Sequence, residues 1–237
     1  MQTKLNSFPR GGLAVILGAS GGIGSALQEA IARTAGFDQV LAFSRRADGF
    51  DLTNEASIAA TASATAAVGV PLRLVIVATG VLHENDLQPE KSWRQLDADR
   101  LARYFAVNAT GPALVAKHFL PLLPREGKAV FAAISAKVGS IGDNNLGGWY
   151  NYRAAKAALN QLIHTASIEL RRTRPQAICV TLHPGTVATA LSAPFGSSGH
   201  PPVDSRFAAE RLLDVIDGLG AEETGLMLDH TGQPLPW

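Results

Sequence analysis

Four short, strongly apolar runs constrain this chain more than any other feature: Leu13–Leu17, Leu72–Ala78, Ala129–Ile134 and Gln176–Leu182. They lack the apolar–polar alternation of a half-exposed strand, so they predict strands buried on both faces, as in a parallel sheet covered by helices. Between them the spacing becomes helical. Ala26, Leu27, Ala30 and Ile31 recur on one face, and so do Ala155, Ala158, Leu159, Leu162, Ile163, Ala166 and Leu170. Further helices are predicted over 54–68, 97–122 and 206–219, and further strands over 39–43 and 225–228. This alternation over 237 residues predicts one doubly wound α/β domain, 1–237, with a mainly parallel sheet and its active site at the strands' carboxyl ends. A charged fraction of 17% against 46% hydrophobic suits such a fully covered sheet.

Several classes are disfavoured. Net charge is +1 and the basic residues are scattered, so no nucleic-acid footprint is expected. The lone cysteine, Cys179, lies inside an apolar run; it allows no intrachain disulfide and reads as a small buried hydrophobe. No apolar run approaches the ~18 residues of a membrane span, and residues 1–12 lack a charged segment leading into a signal core. The expectation is a soluble cytoplasmic protein without a membrane partner. The six histidines are too dispersed to suggest a metal site.

The first strand ends in Gly18-Ala-Ser-Gly-Gly22-Ile-Gly24, directly before a helix. Strand, glycine-rich turn and helix N-terminus form the setting in which glycines let a backbone approach a pyrophosphate. The second strand ends in Ser44-Arg45-Arg46. In a Rossmann-type unit this position meets the adenosine ribose, and guanidiniums in place of a carboxylate suit the 2′-phosphate of NADP. Phe50–Leu52 is expected as a very short third strand, with Asp51 near the adenine. Residues 83–94 read as a surface loop. The helix over 97–122 carries Val107-Asn108-Ala-Thr-Gly111-Pro112, an interior opposed to helix propensity that marks a kinked or functional site. Tyr152 and Lys156 stand one turn apart on one helix face. A cation ~4 Å from a phenol in a partly screened site supplies about 4 kcal/mol, enough to lower a tyrosine pKa from ~10 towards neutrality. Lys156 is therefore expected to tune Tyr152 into a general acid. The Pro-, Gly- and Ser-rich segment 193–204 is expected as a substrate lid.

In this order, the glycine turn, Asn108, Tyr152/Lys156 and Pro184-Gly185 resemble the short-chain dehydrogenase/reductase family over nearly the whole chain. Leu146-Gly-Gly-Trp-Tyr150 and the final Leu-Pro-Trp resemble its small carbonyl-reductase-like, C-signal-type branch. The resemblance implies NADP(H) bound by Gly18, Ser20, Gly22, Ile23, Gly24, Ser44, Arg45, Arg46, Asp51, Leu52 and Gly80, and by Pro184, Gly185, Val187 and Thr189 around the carboxamide. It implies Tyr152 as proton donor, Lys156 as ribose ligand and Asn108 as holder of a relay water. The family's Asn-Asn-Ala-Gly is here Val77-Ala-Thr-Gly80, and its oxygen-positioning serine falls on Ala136 by strand register and on Gly139 by the family's usual spacing from Tyr152, leaving Ser135, beside the first slot, and Ser140, beside the second, as candidates. The implied activity is NADPH-dependent interconversion of a small-molecule carbonyl compound and its alcohol. The Ala136 departure motivates an alternative, a cofactor-binding signalling or sensor protein with little turnover. A homodimer or homotetramer through the helices over 97–122 and 149–173 is also expected.

Overall fold

The computed structural model describes residues 5–195 and 201–237. Its elements are β1 (Leu13–Leu17), α1 (Gly22–Ala32), β2 (Gln39–Phe43), a short α2 (Arg45–Asp48) and α3 (Glu55–Ala67). They are followed by β3 (Leu72–Val77), α4 (Ala98–Phe105), α5 (Gly111–Phe119), β4 (Ala129–Ile134), α6 (Tyr150–Arg171), β5 (Ala177–His183), α7 (Ser205–Gly218) and β6 (Met227–Asp229). The strands form one sheet in the order β2-β1-β3-β4-β5-β6, and every pairing is parallel.

The apolar runs do what their lack of alternation predicts. Successive residues of one strand enter opposite cores: Ala14 and Ile16 pack with α1 and α7, whereas Leu13, Val15 and Leu17 pack with α3, α5 and α6. Cys179 is buried in the second core, and burial pushes its thiol up to about 12. The outer edge of β6 is covered by the tail, where Leu235 N–H donates to Met227 O at 2.8 Å, so it offers no free ladder. Among the described residues no helix is long and apolar enough to cross a membrane.

Three expectations change. Phe50–Leu52 is not a strand. The four residues after Arg46 cannot supply a parallel crossover; instead Ser44 caps α2, and Phe50 and Leu52 turn inwards, 4% and 8% exposed, without sheet pairing. Residues 83–94 are not a simple surface loop, because Leu87 and Glu90 are buried, Glu90 to 2% exposure. The helix over 97–122 is interrupted by a π-helical turn, Ala106–Thr110, between α4 and α5. Part of the expected lid, 196–200, lies outside the described residues. Of the rest, Ala193–Phe195 form a short turn and Val203 bridges to Val187.

Candidate active site

The chain order reverses between β1 and β3, and a cleft opens at their carboxyl ends, where open α/β sheets take ligands. Its volume is about 410 Å³, and it runs from Gly18, Ser20 and Gly21 past Ser44, Arg45 and Asp51 to Thr79, Gly80 and Val107. Gly18 has φ +96°, and a Cβ there would lie 2.7 Å from Ala78 O, so only glycine fits the floor. A Cβ on Gly24 would overlap the Gly18 carbonyl, which forces α1 to start against the turn. Gly21 caps α1 without a side-chain bond, and the first turn holds no acidic residue. The start of α1 lies at the cleft, where Gly21 lines it, and the helix dipole there favours an anion. Ile23 packs into the core beneath, and Thr189 stands against Gly22.

At the other end Ser44 is buried and its Oγ accepts from Ala47 N–H at 3.1 Å. That cap turns Arg45 into the cleft; Arg46 is exposed and does not line it. Asp51 lines the same end. Bonds from Thr53 N–H at 2.9 Å and Thr53 Oγ1 at 2.8 Å hold its carboxyl below the ordinary range, with Arg45 adding to the effect. Leu52 packs against Gly111. The Thr79 Oγ1 is buried without a partner among the described residues.

Asn108, Lys156 and Tyr152 come from different elements. The π-turn aims Asn108 inwards, where Oδ1 accepts from Val81 N–H at 3.1 Å and Nδ2 donates to Val81 O at 2.8 Å. Lys156 Nζ donates to Ile134 O at 2.9 Å. Both meet at Gly80: a Cβ there would stand 3.1 Å from Asn108 Oδ1 and 3.7 Å from Lys156 Nζ. Lys156 Nζ lies 5.9 Å from the centre of the Tyr152 ring. Tyr104 and Trp149 meet that ring edge-on at 6.3 and 6.2 Å.

The expected lowering of the Tyr152 pKa is not found. Burial pushes the phenol above its ordinary value, and the neighbouring Tyr104 adds to the shift. Burial also brings the Lys156 ammonium down to about 7. The pair is dry, and the ammonium points at a carbonyl rather than at the phenol, so desolvation of each group outweighs their attraction.

Both candidate serines are buried and have partners of their own. Ser135 Oγ donates to Asn160 Oδ1 at 2.7 Å, and Ser140 Oγ accepts from Asp143 N–H at 3.1 Å. Ala136, the position that strand register gives for the family's serine, is among the residues packed against the Tyr152 cluster, as is Val138. Beyond β5, Gly185 turns at φ +78° after Pro184, and Val187 is buried. Ser192 holds this segment by accepting from Thr189 N–H at 3.1 Å and donating to Val187 O. Sequence reading missed Ser192 and a set of aromatic contacts. Phe195 meets Trp149 at 5.2 Å and His83 at 5.7 Å, and His83 Nε2 lies 3.0 Å from Ala190 O. Of these residues only Trp149 carried a signal in the sequence, as part of the Leu146–Tyr150 stretch that resembles the carbonyl-reductase-like branch.

A family model described as enoyl-(acyl carrier protein) reductase, of the short-chain dehydrogenase type, matches residues 19–214. A dehydrogenase of Rhodococcus sp. (strain AD45), named for 1-hydroxy-2-glutathionyl-2-methyl-3-butene, is 33% identical over 189 residues, 80% of this chain and 79% of the relative. The C-signal protein of Myxococcus xanthus is 37% identical over 143 residues, 60% of this chain and 81% of the relative. An NADPH-bound carbonyl reductase from chicken fatty liver superposes with a TM-score of 0.83 over 98% of this chain and 97% of its own, at 24% identity. The carbonyl reductase Sniffer of D. melanogaster gives 0.78 over 95% and 99%, also at 24%. At that identity the two structures speak for the shared fold. The length of the family match and the extent of the Rhodococcus relative go further, and this chain belongs to the short-chain dehydrogenase/reductase family of oxidoreductases.

Proposed function

We propose that the protein interconverts a carbonyl compound and its alcohol using NADP(H). The observation that carries this reading is the convergence of Asn108 and Lys156 on Gly80 beside the buried Tyr152 ring. The residues present fit the cofactor. The uncapped start of α1 suits a pyrophosphate, Arg45 with Ser44 suits a 2′-phosphate, and Lys156 reaches the region between them and Tyr152. The family resemblance assigns the carboxamide to residues 184–189, which follow β5 at the carboxyl end of the sheet. When bound, the nicotinamide supplies or accepts the hydride.

The chain's own residues supply the remaining parts. A phenol with a raised pKa stays protonated throughout the neutral range, so Tyr152 holds a proton ready for a developing alkoxide. Lys156, charged as pH falls below about 7, stabilises negative charge on that oxygen. The Asn108 side chain anchors Val81 and so fixes the loop leaving β3. Trp149 and Tyr104 keep bulk water from the ring. Leu101, Leu162 and Ile168 remain exposed on α4 and α6, and they support a homodimer or homotetramer through those helices.

A second reading, cofactor binding with little turnover, is favoured by Ala136, which stands where strand register puts the family's oxygen-positioning serine. NADPH consumption across a panel of aldehydes and ketones, run beside calorimetric titration with NADPH and NADH, separates the two. Turnover of any member supports the reductase, and tight binding without turnover supports the sensor.

A further inference from the structure

We propose that Glu90 is the positioning residue of Tyr152, a long-range cap that fixes the first turn of α6. The inference rests on the reductase reading above, in which the exact seat of the phenol matters. The local sequence cannot cap this helix: Trp149, at its N-cap, is left-handed with φ +52° and makes no side-chain bond. The first N–H groups of a helix need acceptors from elsewhere. Glu90, far away in sequence, supplies two. Its backbone carbonyl accepts from Trp149 N–H at 2.5 Å, and its Oε2 accepts from Asn151 N–H at 3.1 Å. Both bonds fall within the three residues preceding Tyr152.

Glu90 is 2% exposed, and its Oε1 is buried without a hydrogen-bond partner among the described residues. A buried carboxylate is costly wherever its charge is not met. Here the helix N-terminus meets it, since the dipole of the 22-residue α6 favours a negative group there. A local Ser or Asp at 149 would cap the helix equally well but would not tie it to another segment. Glu90 does tie it, because residues 81–90 also carry Val81, held by Asn108, and Leu82, whose carbonyl accepts from Tyr104 Oη at 2.6 Å. The loop leaving β3, held at Val81 and Leu82 by Asn108 and Tyr104, is thereby joined through Glu90 to the helix carrying Tyr152.

The test replaces Glu90 with Met, which keeps the volume and removes the side-chain acceptor of the Asn151 N–H. Turnover is followed by NADPH oxidation with nitrobenzaldehyde, or with the best substrate of the panel above. Glu90→Met is expected to lower kcat at least about tenfold, since a ~1 Å misplacement can cost ~10²-fold. NADPH affinity should stay within about threefold, and Glu90→Gln, which retains an acceptor, should recover most of kcat. In the cofactor-free protein the Asn151 amide should exchange at least about tenfold faster in Glu90→Met than in wild type. A folded Glu90→Met with wild-type kcat overturns the proposal, as does a parallel fall in kcat and NADPH affinity. Should Glu90→Met not fold, Glu90→Asp, shorter by one methylene, takes its place with the same expected split. Tyr152→Phe, run alongside, distinguishes the failures. An active Tyr152→Phe removes the reductase reading and this inference with it, whereas an inactive one beside a fully active Glu90→Met removes the inference alone.

Discussion

Lys156 is a lysine whose burial brings it down to about 7 from 10.5, and that shift has a thermodynamic sign. Between these pH values the unfolded chain binds the proton and the folded chain does not, so stability rises with pH across the window. Below about 7 both states are charged and the penalty is fully present. Lys156→Met should therefore remove a slope of up to about 1.4 kcal/mol per pH unit between about 7 and 10.5. Urea unfolding of both proteins at several pH values reads it, and identical pH profiles would contradict it. At the cleft's far end, Arg45 and Arg46 look equivalent in sequence, but only Arg45 lines the cavity. A charge-assisted bond contributes about 1.5–3 kcal/mol, or roughly one to two decades in affinity. Arg45→Ala should erase most of a preference for NADPH over NADH, and Arg46→Ala should leave it nearly whole. Calorimetric titration checks both, and equal effects would reject the distinction. Sequence spacing brought Tyr152 and Lys156 to one helix face, but it could not show that both are buried, because burial arises in part from residues as distant as Tyr104. That is why the expected direction of the Tyr152 shift was reversed.

Among the elements, legibility followed the range of the forces. Strands buried on both faces announce themselves in every residue, and β1, β3, β4 and β5 fall where their apolar runs do. The short Phe50–Leu52 segment has similar residues but lacks the connection a parallel strand requires. The interruption of the helix over 97–122 was visible as Asn, Gly and Pro in its middle; its π geometry was not, because that depends on Asn108 reaching Val81. Residues 83–94 misled because their polarity includes Glu90, which is buried against a helix terminus rather than solvated. Gly111 begins α5 because Leu52 lies on it: a Cβ there would stand 2.5 Å from Leu52 Cγ and 2.8 Å from Leu52 O. Backbone cannot move aside as a flexible side chain can, so Gly111→Ala should overpack this contact and cost about 1–3 kcal/mol. Thermal unfolding should show a fall of several degrees, and an unchanged or raised Tm would contradict the packing described.

At the scale of the whole molecule, the doubly wound order puts the glycine turn, Arg45, Asn108, Tyr152 and Lys156 at one end of the sheet, although they span most of the chain. The same architecture leaves Leu162 and Ile168 exposed on α6, 42% and 50% respectively. If that face joins subunits, Leu162→Glu with Ile168→Glu should shift sedimentation towards the monomer while leaving the unfolding curve of each subunit nearly intact. Unchanged sedimentation of an oligomer would place the interface elsewhere. The central claim, that this assembly of elements exists to set one phenol beside a reacting oxygen, is tested most directly by steady-state carbonyl reduction and NADPH titration of Tyr152→Phe. Only a hydroxyl is removed, so folding and NADPH affinity should be nearly unchanged while turnover falls by about two decades or more. Retention of more than about a tenth of wild-type turnover, a loss below about 1.4 kcal/mol, would contradict Tyr152 as the proton donor.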